Sequence, residues 1–328
     1  MGVRRRSIPG VVSAIAALLL AACAGTGGDS PASATPSVSV TAHAGNGAFI
    51  VERMGAPGSQ RHPIGADGGV GAPTDLPWAS GPAAEGIRLL DAVGPWALTA
   101  TFEPPATDVS RNTQLQVRDI ATGEVRHRLD VPGWCSGPDG ADHPCVLLDD
   151  ARMARSTPLN GDDEGTVTIH SSDTGQVLAE FGPFAGLAAV RATSSPDTLV
   201  LISFDGAAQH TAQQLDLRTG QTSAIGSLPT SQPWLCILGT ESVLTIDGTT
   251  LEVLGPATVA AVQVPEAAGN GPGVVGCTPD GRYLYVRTDW TVDPDAGLVI
   301  DAIAPGDGSR TPGVLALTTQ EAGVRITR

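Results

Sequence analysis

The sequence contains no lysine. All 19 of its basic residues are arginine, and 34 acidic residues give the chain a formal net charge of −15. Chemistry that needs a lysine amine, such as Schiff-base formation or the phosphate contact of a P-loop, is therefore excluded. Because a strongly negative protein repels polyanions, we expect no nucleic-acid partner.

Local signatures of catalysis and metal binding are also missing. The chain has no Gly-x-Ser-x-Gly, no His-Glu-x-x-His and no phosphate loop, so no local motif supports a hydrolase or a nucleotide-binding enzyme. The acidic stretches 161–165 and 293–295 lack the spacing of a known calcium loop, and we interpret them as solvated turns. The histidines are scattered without ligand spacing. We therefore predict neither a catalytic set nor a metal site.

The N-terminal residues have the pattern of an export signal. Arg4, Arg5 and Arg6 precede an apolar stretch, Val11 to Leu20, which is too short to span a membrane. The stretch closes with Leu20-Ala21-Ala22-Cys23, which resembles the lipobox of bacterial lipoproteins. This resemblance implies cleavage before Cys23, a diacylglycerol on its thiol, and anchoring in the lipid at the extracytoplasmic face of the cell membrane. An ordinary signal peptide is the alternative, and the general secretory and twin-arginine routes both remain open.

The composition after the anchor predicts two further segments. Residues 23–46 are almost wholly small or polar and cannot bury a core, so we interpret them as a lipid-anchored flexible linker that follows the signal peptide, residues 1–22. Residues 47–328 are long enough for one large β domain. Three of the 19 arginines lie in the leader, so the mature chain keeps 16 against 34 acids and carries a charge of −18.

The sequence has five cysteines, one of which is Cys23. Without Cys23 four remain, and an even number in an exported chain indicates two disulfides, for which three pairings exist. No Cys-x-x-Cys occurs, which argues against a redox motif or zinc cluster. Cys135 and Cys145 flank a loop rich in Gly, Pro and Asp, while Cys236 and Cys277 each stand just ahead of a strand-like run. We therefore predict the pairs 135–145 and 236–277.

A recurring phrase organises the folded part. Residues 115–125 alternate apolar and polar side chains around Thr122-Gly123, as two antiparallel strands do. The phrase returns at Thr174-Gly175 and Thr219-Gly220, and weaker versions end at Gly255 and Gly306. These five glycines are 52, 45, 35 and 51 residues apart. A period in the 40s with about four strands per unit is what a propeller blade requires.

A second phrase lies between copies of the first. Ser195-Pro196-Asp197 and Thr278-Pro279-Asp280-Gly281 each precede a strand, with residues 239–242 in the matching place between them. Together these residues resemble bacterial β-propellers of the quinoprotein-like and YVTN kind. The resemblance implies an all-β fold with a single propeller of five to seven blades, six preferred, over residues 47–328. The sixth blade would combine strands near 314–318 and 324–327 with one near 48–52. Residues 55–85 receive no role, and a pair of β-sandwiches is the alternative.

The resemblance does not extend to the quinone cofactor. In quinoprotein repeats a tryptophan four residues after the turn glycine packs between blades. Here His127, Ala179 and Ala224 stand at that position. We therefore expect no quinone cofactor. Trp96, Trp134 and Trp234 follow Pro or Gly near blade edges, where we expect packing rather than ligand stacking.

Two functions from different classes remain. The first is a non-catalytic binding or scaffold module at the cell envelope, which holds an envelope protein or a small ligand on a propeller face. The second is a propeller enzyme, quinoprotein-like or a hydrolase, with its site at the central channel. Its acids and bases would come from Asp149, Asp150, Asp205 and Asp293.

Overall fold

The structure, a computed structural model, consists of β-strands and their connections. It describes residues 47–53, 58–79, 86–102, 114–129, 145–149, 151–157, 164–204, 210–228, 236–247, 249–264, 273–287, 298–317 and 321–327. These residues form 23 strands and no helix. The strands pair into six antiparallel sheets, five of four strands and one of three.

Five of the six sheets use consecutive strands. Blade 1 contains β4 (Gly86–Val93), β5 (Trp96–Phe102), β6 (Gln114–Asp119) and β7 (Val125–Leu129). Blade 2 contains β8 (Cys145–Leu147), β9 (Arg152–Thr157), β10 (Glu164–Ser171) and β11 (Val177–Ala185). Blade 3 contains β12 (Leu187–Ala192), β13 (Thr198–Phe204), β14 (His210–Asp216) and β15 (Thr222–Leu228). Blade 4 contains β16 (Cys236–Leu238), β17 (Ser242–Asp247) and β18 (Thr250–Leu254), and blade 5 contains β19 (Gly273–Cys277), β20 (Leu284–Arg287), β21 (Leu298–Ile303) and β22 (Arg310–Leu317).

The sixth sheet joins distant parts of the chain. Its strand order is β23 (Glu321–Thr327), β1 (Ala48–Arg53), β2 (Ser59–Pro63) and β3 (Thr74–Leu76). We name it the closing blade. β23 lies beside β19 of blade 5 and β4 of blade 1, as the first strands of neighbouring blades do elsewhere in the ring. The molecule is therefore a closed six-bladed β-propeller, which confirms the predicted fold class and the preferred blade count.

The predicted composition of the closing blade is partly wrong. Residues 324–327 do pair with residues 48–51. Residues 314–317, however, belong to β22 and pair with β21 of blade 5. The two remaining strands of the closing blade come from residues 59–76, to which the sequence assigned no role. Short strands among glycines and prolines give too little alternation to be recognised.

The core lies between adjacent sheets. Leu98 and Leu115 of blade 1, for example, pack with Leu147 and Met153 of blade 2 in one buried cluster. Inner and second strands are covered on both faces, and this explains the continuous apolar run 199–202 in β13. Outer strands are covered on one face at most, so their sequences alternate or are polar.

The predicted turns fall at equivalent places. Gly123, Gly175 and Gly220 each follow the third strand of blades 1, 2 and 3, with φ of 74°, 69° and 70°. In all three the glycine N–H donates to the carbonyl oxygen four residues earlier, at 2.8 Å. The Pro-Asp turns precede β13 and β20, the second strands of blades 3 and 5, so both repeated phrases are confirmed.

The two weaker repeats need correction. In blade 5 the equivalent glycine is Gly308, with φ of 76° and an N–H that donates to Ala304 O at 2.8 Å, so Gly306 was the wrong choice. In blade 4 the chain after Gly255 does not make this turn. It runs back past β18, with a bridge between Thr250 and Gln263 in place of a fourth strand.

Candidate functional site at the turn face

One face of the ring carries two turns from each blade. Because successive strands are antiparallel, the connection from the first to the second strand and that from the third to the fourth lie on the same face. Backbone hydrogen bonds join the two turns, from Ile120 N to Pro95 O at 2.8 Å in blade 1 and from Leu217 N to Asp197 O at 2.9 Å in blade 3. We name this the turn face and the other the opposite face.

An aspartate shapes the third-to-fourth turn. Asp119 Oδ1 accepts hydrogen bonds from the backbone N–H groups of Ala121 and Thr122, at 3.0 and 2.8 Å, and from the Thr122 hydroxyl at 3.0 Å. These bonds favour the ionised carboxylate, so they lower the pKa of Asp119. Asp216 forms the same turn in blade 3, and the backbone N–H groups of Thr219 and Arg218 likewise lower its pKa. These carboxylates therefore hold the turns.

Each turn glycine packs against the preceding blade. A Cβ on Gly123 would lie 2.5 and 2.6 Å from Cγ and Cδ1 of the Trp78 ring, which belongs to the closing blade, and one on Gly175 would lie 3.2 Å from His127 Nε2 of blade 1. His127 stands where the quinoprotein repeat has tryptophan, and it does lie between blades. In blade 2 this contact comes from Phe181, beside Gly220, and not from Ala179.

A chain of ion pairs crosses from blade 2 to blade 3. Asp149 Oδ2 accepts from Arg152 Nε at 2.8 Å, and Arg152 Nη2 lies 2.9 Å from Asp197 Oδ1. Arg152 Nη2 also donates to Pro196 O at 3.2 Å. Asp197 in turn accepts from Arg218 Nε at 2.8 Å. We name these four residues the inter-blade network.

The opposite charges of the inter-blade network stabilise the ionised forms of Asp197 and Arg152. Burial alone would raise the pKa of Asp197, but hydrogen bonds and charges from Arg152 and Arg218 outweigh it and lower the pKa. Burial alone would lower the pKa of Arg152, and the hydrogen bonds and charges of Asp149 and Asp197 raise it. Asp197 and Arg152 therefore both stay charged at neutral pH.

A second charged contact joins blades 1 and 2. The Arg126 guanidinium lies 4.2 Å above the centre of the Trp96 ring, and its Nη2 lies 2.6 Å from Asp173 Oδ1. Trp96 also packs against the buried cluster between these blades. This agrees with the expectation that Trp96 packs, since Arg126 covers its ring.

The inner strands of blades 1 and 2 are joined by a buried carboxylate. Asp91 of β4 is 9% exposed, and its Oδ2 accepts a hydrogen bond from Leu147 N of β8 at 2.9 Å. The register shifts between Leu89 and Asp91, which sets the direction of this side chain. Sequence reasoning missed Asp91 because one acid in an apolar strand gives no pattern.

The structure tests only some of the predicted site residues. Cys236 and Cys277 form a disulfide with their Cα atoms 5.7 Å apart, as predicted, and join the inner strands of blades 4 and 5. Cys145 is buried in β8. Asp149 lies in the inter-blade network. The other predicted residues lie outside the described residues: Cys23, Cys135, Asp150, Asp205, Asp293, Trp134 and Trp234.

The described residues contain neither a metal-binding cluster nor a membrane-spanning helix. They include no group of three or more His, Cys, Asp or Glu side chains that could hold a metal ion. Within the same ranges, no helix has the length and apolar character needed to cross a membrane.

The ring and its paired turns define the chain as a six-bladed β-propeller. No protein-family model and no curated protein matches it. Among solved structures, it is similar to Kuenenia stuttgartiensis hydrazine synthase, with 14% identity, a TM-score of 0.39, and coverage of 79% of this chain and 77% of that one. It is also similar to a candidate 6-phosphogluconolactonase from Bacteroides uniformis, with 13% identity, a TM-score of 0.41, and coverage of 85% and 84%.

A third similar structure is a prolyl endopeptidase, with 18% identity and a TM-score of 0.42. The similarity covers 81% of this chain and only 38% of the endopeptidase. At such identities and TM-scores, none of these similarities assigns an activity or a substrate.

Proposed function

We propose that this protein is an exported lipoprotein, anchored through Cys23, whose propeller is a non-catalytic binding or scaffold module at the cell envelope. The observation that carries the proposal is the pairing of turn-face charges across blades. Arg152 is bound to Asp149 in its own blade and to Asp197 in the next. Such groups stabilise a rigid ring, and rigid rings suit the display of binding surfaces.

The anchor is supported by the sequence alone. Arg4 to Arg6, the apolar stretch after them, and Leu20-Ala21-Ala22-Cys23 together have the order of a lipoprotein signal. Cys23 lies outside the described residues. The linker proposed for residues 24–46 would separate the propeller from the lipid.

Asp149 illustrates why binding is favoured over catalysis. A general base needs an oxygen within hydrogen-bond reach of the proton that it takes from the substrate. Asp149 Oδ1 accepts from Ala151 N at 2.9 Å, and its Oδ2 accepts from Arg152. Both oxygens are therefore already engaged in holding the turn.

Two measurements test the proposal. Mass spectrometry of the membrane fraction should find an N-terminal Cys23 that carries diacylglycerol, and a free secreted chain with another N-terminus would contradict the anchor. Cross-linking in intact cells should then capture an envelope partner with the wild-type chain, and less of it with a secreted Cys23→Ser control.

The enzyme alternative predicts a different outcome. The purified chain would turn over a substrate, and an Asp→Asn substitution at position 149, 150, 205 or 293 would abolish turnover while leaving the fold intact. That result would replace the binding module with a propeller enzyme.

A further inference from the structure

The first described strand, β1, begins at one particular face of the propeller. Ala48, the first residue of β1, pairs with Thr327, the last residue of β23, and the Thr327 hydroxyl donates to Ala48 O at 3.3 Å. β23 is the inner strand of the closing blade, and inner strands run toward the turn face, where the first turn of each blade follows them. Ala48 therefore lies at the turn face, one strand away from the central channel.

Gly47 fixes this entry point. It has φ of 85°, and an added Cβ would lie 3.0 Å from Cδ of Pro279. Pro279 belongs to the first turn of blade 5, which is also on the turn face. In addition, Ile64 N donates to Gly47 O at 3.1 Å. Gly47 is thus held between two blades, and the segment before it joins the ring at the turn face.

We propose that the turn face lies toward the membrane, so that the opposite face is the surface available to an envelope protein. This inference rests on the proposed anchor at Cys23. A flexible chain of 23 residues, the length of the proposed linker 24–46, has an average end-to-end distance of about 26 Å. A domain of this length is roughly 50 Å across. To turn the opposite face toward the lipid, the linker would have to stretch around the domain, to about twice its average length.

The charge of the turn face keeps it away from the lipid itself. In the described part of the chain, its turns and the strand residues that adjoin them carry ten carboxylates and four guanidiniums, and Arg126 of β7 adds a fifth guanidinium through its contact with Asp173. The carboxylates are Asp67, Asp119, Glu124, Asp149, Asp173, Asp197, Asp216, Glu241, Asp280 and Asp307, and the four guanidiniums are those of Arg152, Arg218, Arg282 and Arg310. Anionic headgroups repel such a face over a Debye length of about 8 Å at physiological salt. The linker therefore orients the domain, and the charge holds it at a distance.

Energy transfer from the domain to the bilayer tests the orientation. Gln176 and Glu164 are both exposed and both in blade 2, Gln176 in a turn of the turn face and Glu164 at the start of β10 on the opposite face. A fluorophore is placed at one or the other position, by an unnatural amino acid, in the full lipidated chain. The chain is then reconstituted into vesicles of phosphatidylglycerol and phosphatidylcholine with an acceptor dye in the headgroups.

The orientation predicts at least about twofold more transfer from position 176 than from position 164, since the two faces lie tens of ångströms apart. Raising the salt should increase the transfer from position 176 in anionic vesicles and leave it unchanged in pure phosphatidylcholine. A variant with the linker duplicated should show a smaller difference between the positions.

The possible failures are distinguishable. A wild-type chain that carries no lipid and does not bind vesicles overturns both the anchor and the orientation. A vesicle-bound chain with equal transfer from both positions, or more from position 164, overturns the orientation alone.

Discussion

Arg152 of blade 2 and Asp197 of blade 3 form an ion pair at 2.9 Å that joins two sheets without any shared strand. Their side chains are 27% and 21% exposed, so water screens the pair only partly. The pair lies at the turn face, where the Ser-Pro-Asp turn of blade 3 meets the first residue of β9. It makes the joint between these blades depend on charge as well as on apolar packing.

Arg152→Gln should therefore destabilise the protein. It removes the contacts to Asp149 and Asp197, which leaves Asp149 without its cation and Asp197 with Arg218 alone. We expect this to lower the free energy of unfolding by about 1–3 kcal/mol. Urea denaturation measures the change. Arg282→Gln is the matched control, because Arg282 pairs with Asp280 of its own turn and is 69% exposed. An equal loss in both variants would contradict the role of the network.

The inter-blade network also predicts a response to acid. The pKa of Asp197 is lowered in the folded state, so its contribution is fully present above the unfolded pKa, near 4. The contribution is lost as the pH falls through the folded pKa. The wild-type chain should therefore lose stability between about pH 5 and pH 2 more steeply than Arg152→Gln. Parallel slopes in denaturation curves across this range would contradict the prediction.

The contact between turn glycine and preceding blade predicts a difference between two substitutions. Gly123 and Gly239 both have positive φ, so alanine at either position costs about 1 kcal/mol of backbone strain. At Gly239 nothing lies within 4 Å of the new Cβ, whereas at Gly123 the Trp78 ring must move. We expect Gly123→Ala to cost about 3 kcal/mol in total. Thermal unfolding should separate the two variants, and Trp78 fluorescence should shift only in Gly123→Ala.

The disulfide between blades 4 and 5 should contribute strongly to stability. It closes a loop with a sequence separation of 41, which corresponds to about 4 kcal/mol on the loop-entropy estimate. We expect the double variant Cys236→Ser, Cys277→Ser to unfold at correspondingly lower denaturant. Peptide mapping of the wild-type chain without reductant is the control. Free thiols at these positions would contradict the pairing.

Tyr285 of blade 5 contacts two parts of the closing blade. Its hydroxyl donates to Gly68 O at 3.0 Å, and its ring lies edge-on to Phe49, with centres 4.7 Å apart. Tyr285→Phe keeps the ring contact and removes the hydrogen bond, so we expect a loss of about 1–2 kcal/mol.

The same tyrosine predicts a response to alkali. Burial raises the pKa of Tyr285, so its contribution is lost as the pH rises above about 10, where the unfolded tyrosine ionises. The variant should therefore lose less stability than the wild-type chain between neutral and alkaline pH. An identical loss in both would exclude Tyr285 as the cause.

The sequence predicts the repeating part of this fold and not its exceptions. Thr122-Gly123, Thr174-Gly175 and Thr219-Gly220 are recognisable because each turn needs a residue with positive φ and a side-chain oxygen at a fixed distance along the chain. β2 and β3 were not predicted, because their pairing to β1 is set by ring closure rather than by local pattern. The turn glycine of blade 5 was mispredicted as Gly306 for a different reason: the sequence offers two glycines near one turn, and only the hydrogen bond from Gly308 N to Ala304 O distinguishes them.

The candidate site was less predictable than the fold. Asp197 was noticed as part of a turn, but its partner Arg152 lies 45 positions earlier and belongs to another blade. Contacts between blades depend on how the sheets twist and stack, and a single sequence carries no signal for them. The pair 236–277 was predictable because each cysteine stands just ahead of a strand-like run in successive repeats, although Cys236 begins its inner strand and Cys277 ends its own.

The closing blade combines strands from both ends of the described chain, and this determines when the ring can close during folding. Ala48 and Thr327 are 279 positions apart, and yet they are neighbours in one sheet. The strands of blades 1 to 5 follow one another along the chain and can therefore pair as each blade is synthesised, while β1 to β3 have no inner strand until β23 is made. Such distant pairing is slow, so closure of the ring should be the last step of folding. A chain truncated before residue 321 would have five blades and a gap in place of β23. The unpaired strand edges on the two sides of this gap would expose the chain to quality-control proteases.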